Sequence, residues 1–197
     1  MTREELLKGA KPILFNTEMV RAILCGRKTV TRRVLKPQPT FEDMFTSVLR
    51  PPCKYDDILY VRETWNYNYD YEKYPFETEM YIYKADEEKF HPLYPEWFHG
   101  WKPSIHMPKE AARIFLRVTD VHVERLKDIT EEQAEAEGCY RMYETKIGIP
   151  ARSHFCNLWD STIKATDRSV YGWDENPWVW VISFEQIPTI LTPKREV

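Results

Sequence analysis

Between Gly26 and Arg33 the chain reads Gly-Arg-Lys-Thr-Val-Thr-Arg-Arg, so Lys28, Thr31 and Arg33 bring two cations and a hydroxyl into one short stretch. An ammonium acts as a point charge and a guanidinium as a planar fork of donors, and together they suit a phosphate or an oxyanion. The hydroxyl of Thr31 becomes a nucleophile if a base removes its proton. Lys28 is such a base only when neutral, which requires burial or a neighbouring cation such as Arg33. A third kind of group stands far along the chain. Glu137 falls in the last turn of a short helical pattern, where the helix dipole opposes an anion. Its side chain either turns out to solvent or is aimed into a site, where a carboxylate beside Lys28 would favour the ammonium and itself activate water or shuttle a proton.

Specific elements must deliver these groups. Met19, Val20, Ile23 and Leu24 lie on one face of a predicted helix over 17–25, with Thr17 as its N-cap and Gly26 in the left-handed position that ends it. Thr29-Val30-Thr31 is β-branched, which predicts that the chain turns after Gly26 and then extends. Thr130 and Gln133 form a capping box at the start of the acidic helix, and Gly138 closes it. Ser153 is read as the cap of a later helix whose Phe155, Leu158, Trp159, Thr162 and Ile163 recur at helical spacing. Strands are predicted near 57–64, 112–126 and 178–185. In the long one, Ile114, Leu116 and Val118 share one parity and Val121 and Val123 the other, which calls for a β-bulge near Thr119 or Asp120.

Composition bounds the class of protein. With 197 residues, 43% hydrophobic and 30% charged, the chain predicts one soluble domain over 1–197. Neither an apolar leader nor a spanning segment is read, so the expectation is a cytoplasmic protein with no membrane partner. The cysteines Cys25, Cys53, Cys139 and Cys156 contain no C-x-x-C pair, which argues for free thiols over a disulfide or zinc framework; no metal or cofactor is expected. A net charge of −3 excludes a protein that coats nucleic acid through overall charge. Charge is nonetheless uneven. Arg21, Arg27, Lys28, Arg32, Arg33 and Lys36 follow one another without an intervening carboxylate, whereas 128–144 is acidic. A local basic patch of that kind binds phosphate or polynucleotide even on an acidic molecule.

Two stretches read as insertions, about 36–56, which is proline-rich, and about 66–108. Thirteen aromatic residues fall between Trp65 and Trp101, interrupted by Pro75, Pro92 and Pro95 and containing the short strand pattern Met80-Tyr81-Ile82-Tyr83. They either supply core area to a loop that lacks regular structure or stack on bases.

The Gly26-x-Lys28-x-x-Thr31-x-Arg33 spacing, the stretch Asp57-Ile-Leu-Tyr-Val-Arg62-Glu63-Thr-Trp65, and Val121 through Gly138 together resemble the ASCH domain, a member of the PUA-like superfamily, with the longer phage and prophage proteins most similar. The resemblance covers about two thirds of the chain, in pieces. It implies an α+β fold, a PUA-like β-barrel flanked by short helices, with an RNA or modified-nucleoside partner and no obligate protein partner. Some small members hydrolyse N4-acetylcytidine, which carries over as catalytic roles for Lys28, Thr31 and Glu137. Arg32, Arg33, Arg62, Glu63, Tyr60 and Trp65 are then the expected substrate-binding residues. The alternative is a non-catalytic RNA or modified-nucleotide reader that uses the same cations for phosphate and Tyr60, Trp65 or Tyr83 for stacking. This chain is almost twice as long as those hydrolases, with an aromatic insertion that could fill or reshape the cleft.

Overall fold

The computed structural model describes residues 2–40, 42–43, 49–68, 80–89, 98–140 and 149–188. In chain order the elements are α1 (Arg3–Gly9), β1 (Lys11–Leu14), α2 (Thr17–Leu24), β2 (Val30–Val34), β3 (Ile58–Arg62), β4 (Trp65–Tyr67), β5 (Tyr81–Tyr83), β6 (Phe115–Arg125), α3 (Glu131–Ala136), α4 (Ala151–Thr162), α5 (Arg168–Tyr171) and β7 (Trp178–Ile187). Hydrogen-bonded neighbours in the principal sheet run β1-β3-β6-β7-β2. The sheet is mixed. β1 is parallel to β3, with Lys11 opposite Leu59 and Leu14 opposite Arg62. β2 is antiparallel to β7, with Thr31 opposite Ile182 and Arg33 opposite Trp180. The fold is therefore α+β. Among the described residues β1 and β2 are the two ends of the sheet, with no ladder joining them.

Two compact units make up the chain, one of Met1–Leu24, Ile58–Leu116 and Gln186–Val197, the other of Cys25–Asp57 and Arg117–Glu185. In the first, Leu6, Tyr60, Trp65, Tyr83, Met107 and Phe115 share a buried apolar cluster. α1 was not anticipated from the sequence, although its signal is present: Thr2 and Glu5 form a capping box, the side chain of each accepting from the backbone N–H of the other. The cap of α2 is Asn16 and not Thr17, since Asn16 Oδ1 accepts from Met19 N at 2.8 Å and its carbonyl accepts from Val20 N at 3.0 Å. Strands β4 and β5 pair antiparallel in a separate sheet, Trp65 opposite Tyr83. Here the aromatic insertion supplies core, as Trp65 and Tyr83 are both buried. Of the rest of it, 69–79 and 90–97 lie outside the described residues, as do most of 41–48 and the tail after Pro188.

In the second unit, Leu126, Ile129, Ala134, Phe155, Trp159, Val179 and Val181 form the core, with Val30 and Val34 packed against it. α4 presents Phe155 and Trp159 as its spacing predicts, but it starts at Ala151 behind Pro150, and Ser153 lies inside its first turn. The bulge expected near Thr119 or Asp120 lies instead on the segment facing β6, at Asp56 and Asp57, and Val121 and Val123 are half-buried. Asp56 N donates to Val118 O and Val118 N to Asp57 O, both at 2.9 Å, and Asp56 takes φ of 65°. Two residues facing one, the first left-handed, make a G1 bulge, with aspartate in the place glycine usually takes.

Candidate functional site

Lys28 reaches its position through the turn that Gly26 makes possible. Gly26 has φ of 75°, and the chain after it is pinned on both sides, Thr29 N donating to Ala136 O and Phe184 N donating to Thr29 O, each at 2.8 Å. Lys28 and Glu137 consequently face each other in an isolated antiparallel bridge. Glu137 is itself fixed by the end of α3. Gly138 N bonds to Glu135 O and Cys139 N to Ala134 O, with Gly138 at φ of 92°, the pattern of a Schellman motif. The misplaced carboxylate of the sequence is thus the C-cap residue, and it turns inward.

The Lys28 side chain is 0% exposed and that of Glu137 3%. Lys28 Nζ donates to Glu137 Oε2 at 2.6 Å, to Glu137 O at 2.9 Å and to Val30 O at 2.8 Å, one acceptor for each N–H of an ammonium. The bond to Glu137 O makes Lys28 a cationic cap on α3, which offsets the unfavourable meeting of Glu137 with the helix dipole. Burial pushes the Lys28 ammonium below the usual lysine range; the Glu137 carboxylate opposes that shift and the nearby Arg33 guanidinium adds to it. Cys139 stands beside the pair, its thiol pushed up to about 12 by burial and by Glu137, so it is an inert neutral neighbour.

Strand alternation divides the rest of the motif. Thr31 and Arg33 share one face of β2, and Arg32 shares the other with Val30 and Val34. Thr31 is buried, Arg33 half-buried and within electrostatic reach of Glu137. Arg32 is entirely enclosed. Its Nη1 lies 3.2 Å from Glu137 Oε1, its Nε and Nη2 lie 2.9 and 2.5 Å from Glu124 Oε1, and its guanidinium sits 5.9 Å from the Phe155 ring centroid. Glu124 was not singled out from the sequence. Its only signal was a carboxylate near the end of a long inner strand, on the same parity as the exposed Asp120 and His122.

The remaining expected residues belong to the first unit. Tyr60 and Trp65 are core residues, Tyr60 beneath the Lys109 ammonium at 5.5 Å and Trp65 beneath that of Lys102 at 5.4 Å. Arg62 donates to the carbonyls of Met107 and Ile105. Glu63 is buried and held bidentately by Arg113, with Nε to Oε1 at 2.9 Å and Nη2 to Oε2 at 3.0 Å. Arg113 also bonds Asp86 and lies 3.9 Å from the centroid of the Tyr83 ring. Burial nevertheless raises the Glu63 pKa, outweighing Arg113. Among the described residues no three His, Cys, Asp or Glu side chains are grouped as metal ligands, and no helix is long and apolar enough to cross a membrane.

Comparison with family models, curated proteins and solved structures finds no match to this chain.

Proposed function

We propose that this chain is an ASCH-type, PUA-like protein that hydrolyses the acyl amide of N4-acylated cytidine or a closely related modified nucleoside. The reading is carried by the 2.6 Å contact between two buried, oppositely charged side chains, Lys28 and Glu137, drawn from segments more than a hundred residues apart. Removing both charges from water is costly, and an apolar pair of similar volume would serve stability as well or better, so the pair is better accounted for by chemistry than by folding.

Direct contact favours an ammonium on Lys28 and assigns the proton work to Glu137. Glu137 takes a proton from the attacking water as its oxygen bonds to the acyl carbon, and Lys28, whose three N–H groups are already engaged, offsets the charge of the oxyanion through its field. Glu137 then gives that proton to the cytidine nitrogen as the C–N bond breaks, which releases the carboxylic acid and the free amine. Thr31 contributes a hydroxyl to hold the carbonyl or the water, and Arg33 a cation on the same strand face.

The alternative, a reader of RNA phosphate, is disfavoured by Glu137 and Glu124, which already neutralise Lys28 and Arg32. The test is incubation with a panel of N-acylated cytosines, cytidines and acetylated RNA, with product analysis. Cleavage is expected for an N4-acyl nucleoside, with kcat falling by about 100-fold or more in Lys28→Ala and Glu137→Gln while both variants stay folded. No cleavage of any member, together with tight binding of acetylated RNA, would replace the hydrolase by the reader.

A further inference from the structure

Glu137 receives two cations on different oxygens, Lys28 on Oε2 at 2.6 Å and Arg32 on Oε1 at 3.2 Å. Arg32 divides itself unequally. Its two shorter contacts, 2.9 and 2.5 Å, both go to Glu124 Oε1, and only the long one goes to Glu137. Glu124 arrives from β6, the strand next to β7 in the sheet, and its other oxygen lies 3.5 Å from the Nε2 of the surface residue His122, whose Nδ1 faces Asp120. A guanidinium held by one carboxylate is drawn away from another. The hold of Glu124 on Arg32 therefore decides how strongly Arg32 competes with Lys28 for Glu137.

We propose that Glu124 is a positioning residue of this site, acting through Arg32 to fix the Glu137 carboxylate and leave its second oxygen to Lys28. The inference rests on Lys28 and Glu137 being the working pair of the proposed reaction, yet it concerns their geometry and can be tested without turnover. If Arg32 is released by Glu124, it moves onto Glu137 and the Lys28 ammonium loses part of its anion. Besides the backbone acceptors Val30 O and Glu137 O, the side chains that act on Lys28 include Glu137, Arg33 and Cys139.

NMR titration of the Lys28 ε-carbon and Nζ in the full chain reads this directly, in wild type, Glu124→Gln and Glu124→Asp, with the exposed Glu185→Gln as control. The Lys28 pKa is expected to move further down in both Glu124 variants, more in Glu124→Gln, and to stay put in Glu185→Gln. Glu124→Asp keeps the charge but withdraws it from Arg32, so it separates positioning from a long-range charge effect and is also the variant better able to fold. Mere loosening of the structure would hydrate Lys28 and move its pKa up toward the ordinary value. An unchanged Lys28 in Glu124→Asp, or a rise in either variant, overturns the proposal. With an active substrate, kcat should fall about 10- to 100-fold in Glu124→Gln with KM little changed. If wild type cleaves nothing, the hydrolase reading fails while the titration still decides the role of Glu124.

Discussion

At the scale of single residues, buried charge occurs in two places among the described residues, around Lys28 and Glu137 and at Glu63, and the two cases differ in kind. Lys28 has backbone acceptors besides its carboxylate, whereas both carboxylate oxygens of Glu63 are held by Arg113 among the described residues. Removing one partner of a buried pair leaves the other uncompensated. Arg113→Met is therefore expected to cost about 3–5 kcal/mol near neutral pH. The pH dependence has a definite sign. Glu63 already has a folded-state pKa raised by burial, and losing Arg113 raises it further. The folded state then binds the proton more tightly than the unfolded one, so the penalty is full above the folded pKa and shrinks as pH falls through it toward the ordinary carboxylate range. Urea unfolding of wild type and Arg113→Met at about pH 7.5 and pH 5 checks this: the gap between the two proteins should narrow at the lower pH. A gap that is constant or widens would mean that Glu63 is not the group left stranded.

At the scale of elements, two glycines place the site. Gly138 lets α3 end so that Glu137 is its last capped residue, and Gly26 lets the chain leave α2 and run back past it. A Cβ at Gly26 would meet nothing within 4 Å, so the cost of adding one is conformational and not steric. Gly26→Ala is expected to lose about 1–2 kcal/mol, the penalty of a left-handed alanine. Gly26→Asn should lose less, because asparagine tolerates that region. Chemical denaturation of the two variants gives the order. Equal losses would show that something other than backbone conformation holds the turn.

At the scale of the whole molecule, charge sets how it meets a polyanion. The net charge is −3 with an isoelectric point near 6.0, and four members of the basic run are paired with carboxylates, Arg21 with Glu18, Lys28 with Glu137, Arg32 with Glu124 and Glu137, and Lys36 with Asp167. Binding to generic single-stranded RNA should therefore be weak, and its log K should fall with log salt with a slope no steeper than about −2, corresponding to about three neutralised phosphates. Fluorescence anisotropy across a salt series measures it. A slope of about −5 or steeper would reveal a phosphate-binding face of a size that the paired cations do not supply.

The sequence by itself determined the features that are local. The capping box of α3, the apolar stripe of α4, the left-handed Gly26 and the strands around 58–62, 115–125 and 178–187 all follow from periodicity and turn chemistry acting over a few residues. It also marked Glu137 as misplaced on its own helix, and that was enough to suspect a site. Whether Glu137 turned in or out depended on Lys28, and no local rule reaches across that separation. The same limit hid Glu124 and Arg113, whose partners, the guanidinium of Arg32 and the carboxylate of Glu63, are distant in sequence. Ion pairing is decided by which strands become neighbours. The order β6-β7-β2 brings Glu124 within reach of Arg32, and tertiary packing alone produces that order.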